Sequence, residues 1–343
     1  MRILHVNLAK GFRGGERQTE LLIRHLAKQN QDLEQGLVCR IDSPLRERLA
    51  DLDRLSFVTA RHQLAGHACR FAADLVHAHE AKAVHWAWVH HQLKGVPYIL
   101  TRRVPQPVKD KWFNRLTYGA AACAVAIARP IQAHLQQRGW TQTSLIPSAL
   151  AHLPQDEHKI AQLKQQKGSQ RVIGHAGALV DKHKGQRVLL DVARKMQTTH
   201  PDVAFWFLGE GVDAAALQAE SQDLSQVHWL GFQPDLGNYL AVMDVFAFPS
   251  RHEGLGSTLL DVMDAKVPIV ATAVDGIPDL IEHEVTGLLV PSDASAALYQ
   301  QIVRLLEDQA LAQALTHKAY QQLADFTPDQ MAQRYLRLYQ SLL

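Results

Sequence analysis

Two carboxylates with small residues between them, in the stretch from Val245 to Asp264, have the composition of a site for an activated sugar. Glu253 follows an apolar run and a Pro249-Ser250 break. Gly254, Leu255 and Gly256 come next, then Ser257 and Thr258, and a second carboxylate, Asp261, stands eight positions after the first. A glycine-flanked turn at the start of a helix leaves backbone N–H groups unpaired and directed outward, which suits a phosphate. Carboxylates on either side of such a turn can accept hydrogen bonds from sugar hydroxyls. The pattern reads as a nucleotide-sugar site.

Alternating strands and helices must position these residues. Short apolar runs at 2–6, 35–39, 75–79, 98–101 and 124–127 predict strands, with helical patterns between them. The helix expected over 16–29 places Leu21, Leu22, His25 and Leu26 on one stripe of 3.6-residue period. A second alternation starts at 172–176, with strands at 204–208, 227–230, 245–248, 269–271 and 287–290. Helices are expected at 186–197, 213–221, 236–241, 257–264 and 278–282. Repeated β and α units of this length imply doubly wound parallel sheets. The segment 149–170, rich in Gln, His and Lys, reads as a connection followed by a solvent-exposed helix. The tail 327–342 is amphipathic, with Met331, Tyr335, Leu336, Tyr339 and Leu342 on one face.

A chain of 343 residues exceeds one ordinary core and implies two domains. No apolar run approaches the ~20 residues that span a bilayer. The start, MRILHVNLAKGFRGG, reads as a buried strand and a glycine turn rather than a signal peptide. Cys39, Cys69 and Cys123 have no metal spacing, and free thiols in a reducing cytoplasm are expected. The net charge of +2 conceals a split: residues 1–150 carry +10 and residues 151–343 carry −8. Such asymmetry points to an anionic partner for the first half, an anionic membrane surface or a phosphorylated glycan. No nucleic-acid motif accompanies it. Solvated helix faces rich in Arg are the plainer explanation.

The run from Phe246 to Pro291 resembles the donor-site signature of the retaining glycosyltransferases of family 4, which have the GT-B fold. The resemblance rests on Glu253, Gly254-Leu255-Gly256, Asp261, Gly276-Ile277-Pro278-Asp279 and Gly287-Leu288-Leu289-Val290-Pro291. Upstream, Val227 to Ser250 is similar as well, and the likeness weakens toward the N-terminus. It implies two Rossmann-like doubly wound domains facing each other across a cleft, with a C-terminal crossover helix. The expected divisions are 1–150 for the acceptor, 151–325 for the nucleotide-sugar donor, and 326–343 packing back on the first domain.

Roles carried over by the resemblance are these. Glu253 binds donor-sugar hydroxyls, the N–H groups around Gly256, Ser257 and Thr258 hold the phosphate, and Asp261 accepts from the ribose. Asp261 is one methylene shorter than the family's Glu, and Asp264, one turn on, is expected to be exposed. Gly174 to Leu190 resembles the diphosphate loop: Lys184-Gly185 matches its Lys-Gly, while Ala178 stands where the family has Arg. Lys182, Arg251, Arg17 or another arginine of the first domain would then compensate. Base contacts fall near Gly231-Phe232. Gly14 and Gly15 face the donor phosphate, with Arg13 beside them toward the acceptor.

In Asp74–His91, His79 is expected to hold the donor sugar, His77 to turn to the opposite face, and His85, His90 and His91 to lie on a helix surface. His77, His79 and Glu80 also have a weak metal-ligand spacing, but the resemblance implies no metal. Arg102 and Arg103, at a strand end, would hold an anionic glycan or glycolipid acceptor. The helix expected over 109–118 mixes Lys and Arg with Trp112, Phe113, Leu116 and Tyr118. It fits either docking on anionic lipid or an ordinary packed helix.

The chain therefore reads as a hexosyltransferase, free in the cytoplasm or peripheral on the inner membrane face. It would move sugar from a nucleoside diphosphate sugar, with retention, to an envelope glycan such as lipopolysaccharide. A nucleotide-sugar 2-epimerase of the same fold, or a non-catalytic sugar-nucleotide-binding relative, are the alternatives.

Overall fold

The computed structural model describes all 343 residues as two compact units. Unit 1 comprises Met1–Ala151 together with Asp325–Leu343, and unit 2 comprises His152–Ala324.

Unit 1 is built on seven parallel strands: β1 (Arg2–Val6), β2 (Glu34–Cys39), β3 (Leu55–Thr59), β4 (Leu75–Ala78), β5 (Tyr98–Arg102), β6 (Cys123–Ala126) and β7 (Thr143–Leu145). Their order across the sheet is β3-β2-β1-β4-β5-β6-β7. Unit 2 has six: β8 (Arg171–Ala176), β9 (Val203–Leu208), β10 (Val227–Gly231), β11 (Val245–Phe248), β12 (Ile269–Thr272) and β13 (Leu288–Val290), ordered β10-β9-β8-β11-β12-β13. Central strands such as VAFWFL in β9 are buried throughout, because helices cover both faces of a parallel sheet. In both sheets the order reverses beside the first strand. That places the ends of β1 and β4, and of β8 and β11, at the points where such sheets bind ligands.

The Pro328–Leu342 helix belongs to unit 1. Its Met331, Ala332, Tyr335 and Tyr339 join Ile3, Leu22, Leu26, Leu75, Ile99 and Val125 in one core. Asp329 fastens the helix to the Gly14–Gln29 helix, accepting from Gln29 Nε2 at 2.9 Å and meeting His25 Nδ1 at 2.8 Å. Thr327 caps its start with Pro328 in the first turn. The core of unit 2 gathers Ile173, Leu189, Phe205, Phe207, Val245 and Val270 against Leu298, Ile302 and Leu315 from the Ser295–Glu307 and Gln309–Gln322 helices.

Several elements differ from the sequence expectation. β3 and β7 are extra strands at the sheet edges, where mixed exposure replaces an apolar run. Residues 278–282 do not form an α-helix; a three-residue 3₁₀ turn, Ile277–Asp279, stands there. The basic helix begins at Trp112 rather than residue 109, with no side chain capping its start. All three cysteines are unpaired, and no helix is long and apolar enough to cross a membrane.

Candidate functional site

In unit 2 two backbones approach closely to assemble the acidic and basic groups. The Asp181–Lys184 turn ends at Gly185 with φ +65°, and a Cβ there would stand 2.1 Å from the Pro249 carbonyl oxygen. Only glycine allows this contact, which brings Lys184 beside the segment following β11. Lys184 Nζ forms an ion pair with Glu253 Oε1. Ser250 Oγ donates to the same oxygen at 3.1 Å, and Nζ lies 5.5 Å from the Phe248 ring centre. The Glu253 N–H donates to Asp275 Oδ2 at 2.9 Å, fixing the turn. Lys184 and Glu253 are largely buried, their side chains 21% and 11% exposed.

Past Glu253 the chain turns through Gly256 at φ +77° into the Thr258–Asp264 helix. The N–H groups of Gly256, Ser257 and Thr258 find no acceptor within the chain. Leu255 is 2% exposed, so only its backbone is available to a ligand. Asp261 occupies the first turn of the helix, half-buried. Asp264 is half-buried rather than exposed and lies 3.4 Å from His152. Gly231 ends β10 at φ +67°, and Phe232 beside it is exposed.

Arg251 does not compensate for Ala178. Its Nε donates to Asp293 at 2.6 Å, and its Nη1 donates to the Asp181 carbonyl and side chain, so it staples two loops instead. Lys182 remains exposed nearby.

In unit 1 the Gly14–Gln29 helix starts where β1 points. Its first N–H groups, at Gly14, Gly15 and Glu16, have no acceptor within the chain. Glu16 is buried and its carboxylate accepts from the Arg13 N–H at 2.9 Å, while the Arg13 side chain is exposed. Arg103 packs against Gly15 and reaches Ser148 Oγ at 3.4 Å with Nη1; its Nε is buried without a protein partner. Burial lowers its pKa from the ordinary arginine value. Arg102 instead serves its own loop, donating to Tyr118 OH at 3.2 Å and to the Gln106 carbonyl.

The histidines depart from expectation. His77 and His79 do not alternate to opposite faces: residues two apart on an extended chain share a face, and their rings stand 3.8 Å apart. His5, paired in register with His77, completes a buried trio whose ring nitrogens lie within 4.8 Å of one another. Burial holds His5 down to about 4 and pushes His77 and His79 well below 6.5, with neighbouring rings and Arg103 adding to the effect on the latter two. All three are therefore neutral at pH 7. His77 is bonded to Tyr339 OH and Thr101 Oγ1, both at 2.7 Å. Glu80 does not join them; it caps the Ala81–Lys94 helix. His90 is buried against Trp86 and His67 rather than lying on a helix surface.

The basic helix is packed on one side and exposed on the other. Phe113 packs edge-on to Trp88, and Tyr118 is buried. Trp112 is 76% exposed and Leu116 42%, beside exposed Lys109, Lys111 and Arg115.

Residues 170–308 match the family described as Glycosyl transferases group 1. That match lies within unit 2 and covers less than half of the chain. Among curated proteins it is similar to the lipopolysaccharide core biosynthesis glycosyltransferase LpsE of Rhizobium meliloti, with 27% identity over 50% of this chain and 50% of the relative. It is also similar to the N-acetyl-alpha-D-glucosaminyl L-malate synthase of Bacillus anthracis, 26% identical over 54% of this chain and 50% of that one. The chain thus spans about half the length of these curated relatives.

Solved structures extend the likeness to the whole fold. Anabaena Alr3699/HepE, solved with UDP and glucose, superposes with TM-score 0.83 at 19% identity, covering 99% of this chain and 100% of that one. The lipopolysaccharide outer core galactosyltransferase WaaB, in its apo form, gives 0.75 at 18% identity, over 100% of each chain. The two Rossmann-like units are those of the GT-B fold.

The matched segment contains Lys184, Gly231, Phe232, Glu253 and Asp261, whereas His79, Gly15 and Arg103 lie outside it. Sequence reasoning missed His5 and Gln35. Their only signal is a polar residue inside an apolar strand, in RILHV and EQGLVC.

Proposed function

We propose that this protein is a retaining glycosyltransferase that takes sugar from a nucleoside diphosphate sugar and passes it to an anionic glycan or glycolipid of a bacterial envelope. One observation carries the reading: within a group 1 domain, a largely buried Lys184–Glu253 pair adjoins the unpaired N–H groups of Gly256, Ser257 and Thr258. The donor pyrophosphate would take the N–H groups and draw Lys184 away from Glu253. The released carboxylate then accepts from sugar hydroxyls, while Asp261 accepts from the ribose.

As the bond from the anomeric carbon to phosphate oxygen breaks, Lys184 and the backbone dipoles stabilise the charge growing on the phosphate. The acceptor oxygen bonds to the same face, and its proton passes to the departing phosphate oxygen. The side chains named here act without a metal ion in this scheme. Arg13 and Arg103 offer unit 1's cationic groups to the acceptor. The Trp112 and Leu116 side chains amid Lys109, Lys111 and Arg115 fit contact with an anionic lipid surface.

A thermal-shift panel of UDP-, GDP-, ADP- and CMP-sugars identifies the donor, and turnover with the stabilising sugar then tests the assignment. Glu253→Ala is expected to lower turnover by ~10²-fold or more, as for loss of one preorganised transition-state contact. Near-normal turnover of that variant would defeat the assignment. Ala178 in place of the family's Arg favours a second reading, a non-catalytic sugar-nucleotide binder, which any measurable transfer dismisses.

A further inference from the structure

The buried histidines of unit 1 form a directed chain whose sense is dictated by one glutamine. Gln35 Nε2 lies 3.0 Å from the Ile23 carbonyl oxygen, which can only accept, so the amide nitrogen faces Ile23 and the amide oxygen faces His5. That oxygen, 3.1 Å from His5 Nε2, can also only accept, so His5 carries its proton on Nε2. A neutral imidazole has one N–H, and His5 Nδ1 is therefore a bare lone pair. His79 Nε2 stands 3.0 Å from that lone pair and must donate to it. The proton of neutral His79 is thereby assigned to Nε2, which leaves Nδ1 bare. His79 is 2% exposed, and this Nδ1 is buried with no protein partner.

We infer that Gln35 and His5 are positioning residues which hold His79 in the tautomer whose Nδ1 accepts a hydrogen bond from a saccharide hydroxyl. The inference rests on the glycosyltransferase reading for its ligand, but not for its tautomer. It restricts the class of group His79 can hold. A hydroxyl or amide N–H satisfies a bare nitrogen, whereas a carboxylate or phosphate oxygen has nothing to donate. The chain of bonds also opposes a metal at these rings. His5 uses its single lone pair on His79, and His77 is engaged on both nitrogens by Tyr339 and Thr101.

The test is ¹⁵N NMR of histidine-labelled full-length protein near pH 7, where the two nitrogens of each ring report protonated or bare directly. His5 and His79 should both appear as the Nε2–H form, without exchange. A His79 signal with the proton on Nδ1 would overturn the inference, and the wild-type spectrum alone decides that point. Gln35→Met keeps the side chain's length but removes the acceptor. It should release both rings into a mixture of tautomers and lower turnover roughly tenfold, the size of one hydrogen bond to a buried group. An unchanged His79 spectrum in Gln35→Met removes Gln35 from the role. Zinc titration should leave the three rings unmoved; coordinated shifts of all three would replace the inference with a metal centre. Adding UDP-glucose, GDP-mannose, ADP-glucose and CMP-sialate in turn should move His79 Nδ1 with the sugar that binds. Should none bind, the function proposed above fails while the tautomer result stands on its own.

Discussion

Lys184 and Glu253 should oppose each other energetically, so that removing the carboxylate strengthens the grip on diphosphate even as it abolishes transfer. At about 4 Å and an effective dielectric of ~20 two unit charges attract by about 4 kcal/mol. Desolvating both groups offsets much of that. Because the side chains retain 21% and 11% exposure, a net coupling of about 1–2 kcal/mol is expected. Glu253 keeps the Ser250 hydroxyl when Lys184 is lost, whereas Lys184 keeps only the Phe248 ring face when Glu253 is lost. A nucleoside diphosphate that recruits Lys184 must first break this pair. In Glu253→Gln that step disappears, and UDP, GDP or ADP, whichever the protein prefers, should bind roughly 5–30-fold more tightly by calorimetry. Lys184→Met should bind it more weakly than wild type. Denaturant unfolding of both single variants and the double variant supplies the coupling independently, since the double should cost about 1–2 kcal/mol less than the sum. Additive losses, together with unchanged diphosphate affinity in Glu253→Gln, would refute the reasoning.

Acidification should destabilise unit 1 before unit 2. His5 sits at about 4 in the fold against 6.5 unfolded, and His77 and His79 are also lowered well below 6.5, so as pH falls below 6.5 the unfolded chain takes up protons that the fold refuses. Stability is full above that value. It then falls by about 4 kcal/mol per pH unit for His5, His77 and His79 in unit 1, where His90, also held to about 4, adds to the slope, against about 1.4 for His175 in unit 2, likewise held to about 4. Calorimetry from pH 7 to 4.5 should show two transitions drawing apart, and a shared acid midpoint would contradict this. Gly185→Ala should abolish diphosphate binding and cost several kcal/mol, because its Cβ meets the Pro249 carbonyl. Gly231→Ala, at a similar φ of +67° with open space around it, should cost only ~1–2 kcal/mol in urea unfolding. Trp112→Ser should reduce binding to vesicles containing anionic lipid without changing the melting temperature, since the ring is 76% exposed; equal loss on zwitterionic vesicles would assign the effect to something other than charge and insertion together.

The fold is legible because parallel strands announce themselves. VAFWFL or RVIGHA is too apolar and too short for a surface helix, and the glycines after β1 and β8 mark the turns into the next element. The periphery is less so. β3 and β7 lie at edges, where one neighbour suffices and LSFVT or TSL carries little apolar signal. At 278–282 a proline inside a short apolar run reads as a helix start, but Gly276 through Asp279 closes a tighter 3₁₀ turn.

The candidate site divides along a physical line. Residues whose role depends on backbone conformation, such as Gly185 and Gly256, are readable because few residue types tolerate a left-handed φ. Residues whose role depends on a partner far along the chain are not. Arg251 looks available to a phosphate until Asp181 and Asp293, 70 and 42 positions away, are found to claim it. Gln35 looks like a stray polar residue in a strand until its amide is seen between Ile23 and His5. A buried polar side chain in an otherwise apolar strand has to be bonded, because leaving it unpaired costs about 1–3 kcal/mol. His5, Gln35, His77 and His175 could therefore have been marked as members of some network from sequence, though not of which one. Only topology, by setting β1 between β2 and β4, turns Gln35 and His5 into a single directed relay that ends on His79.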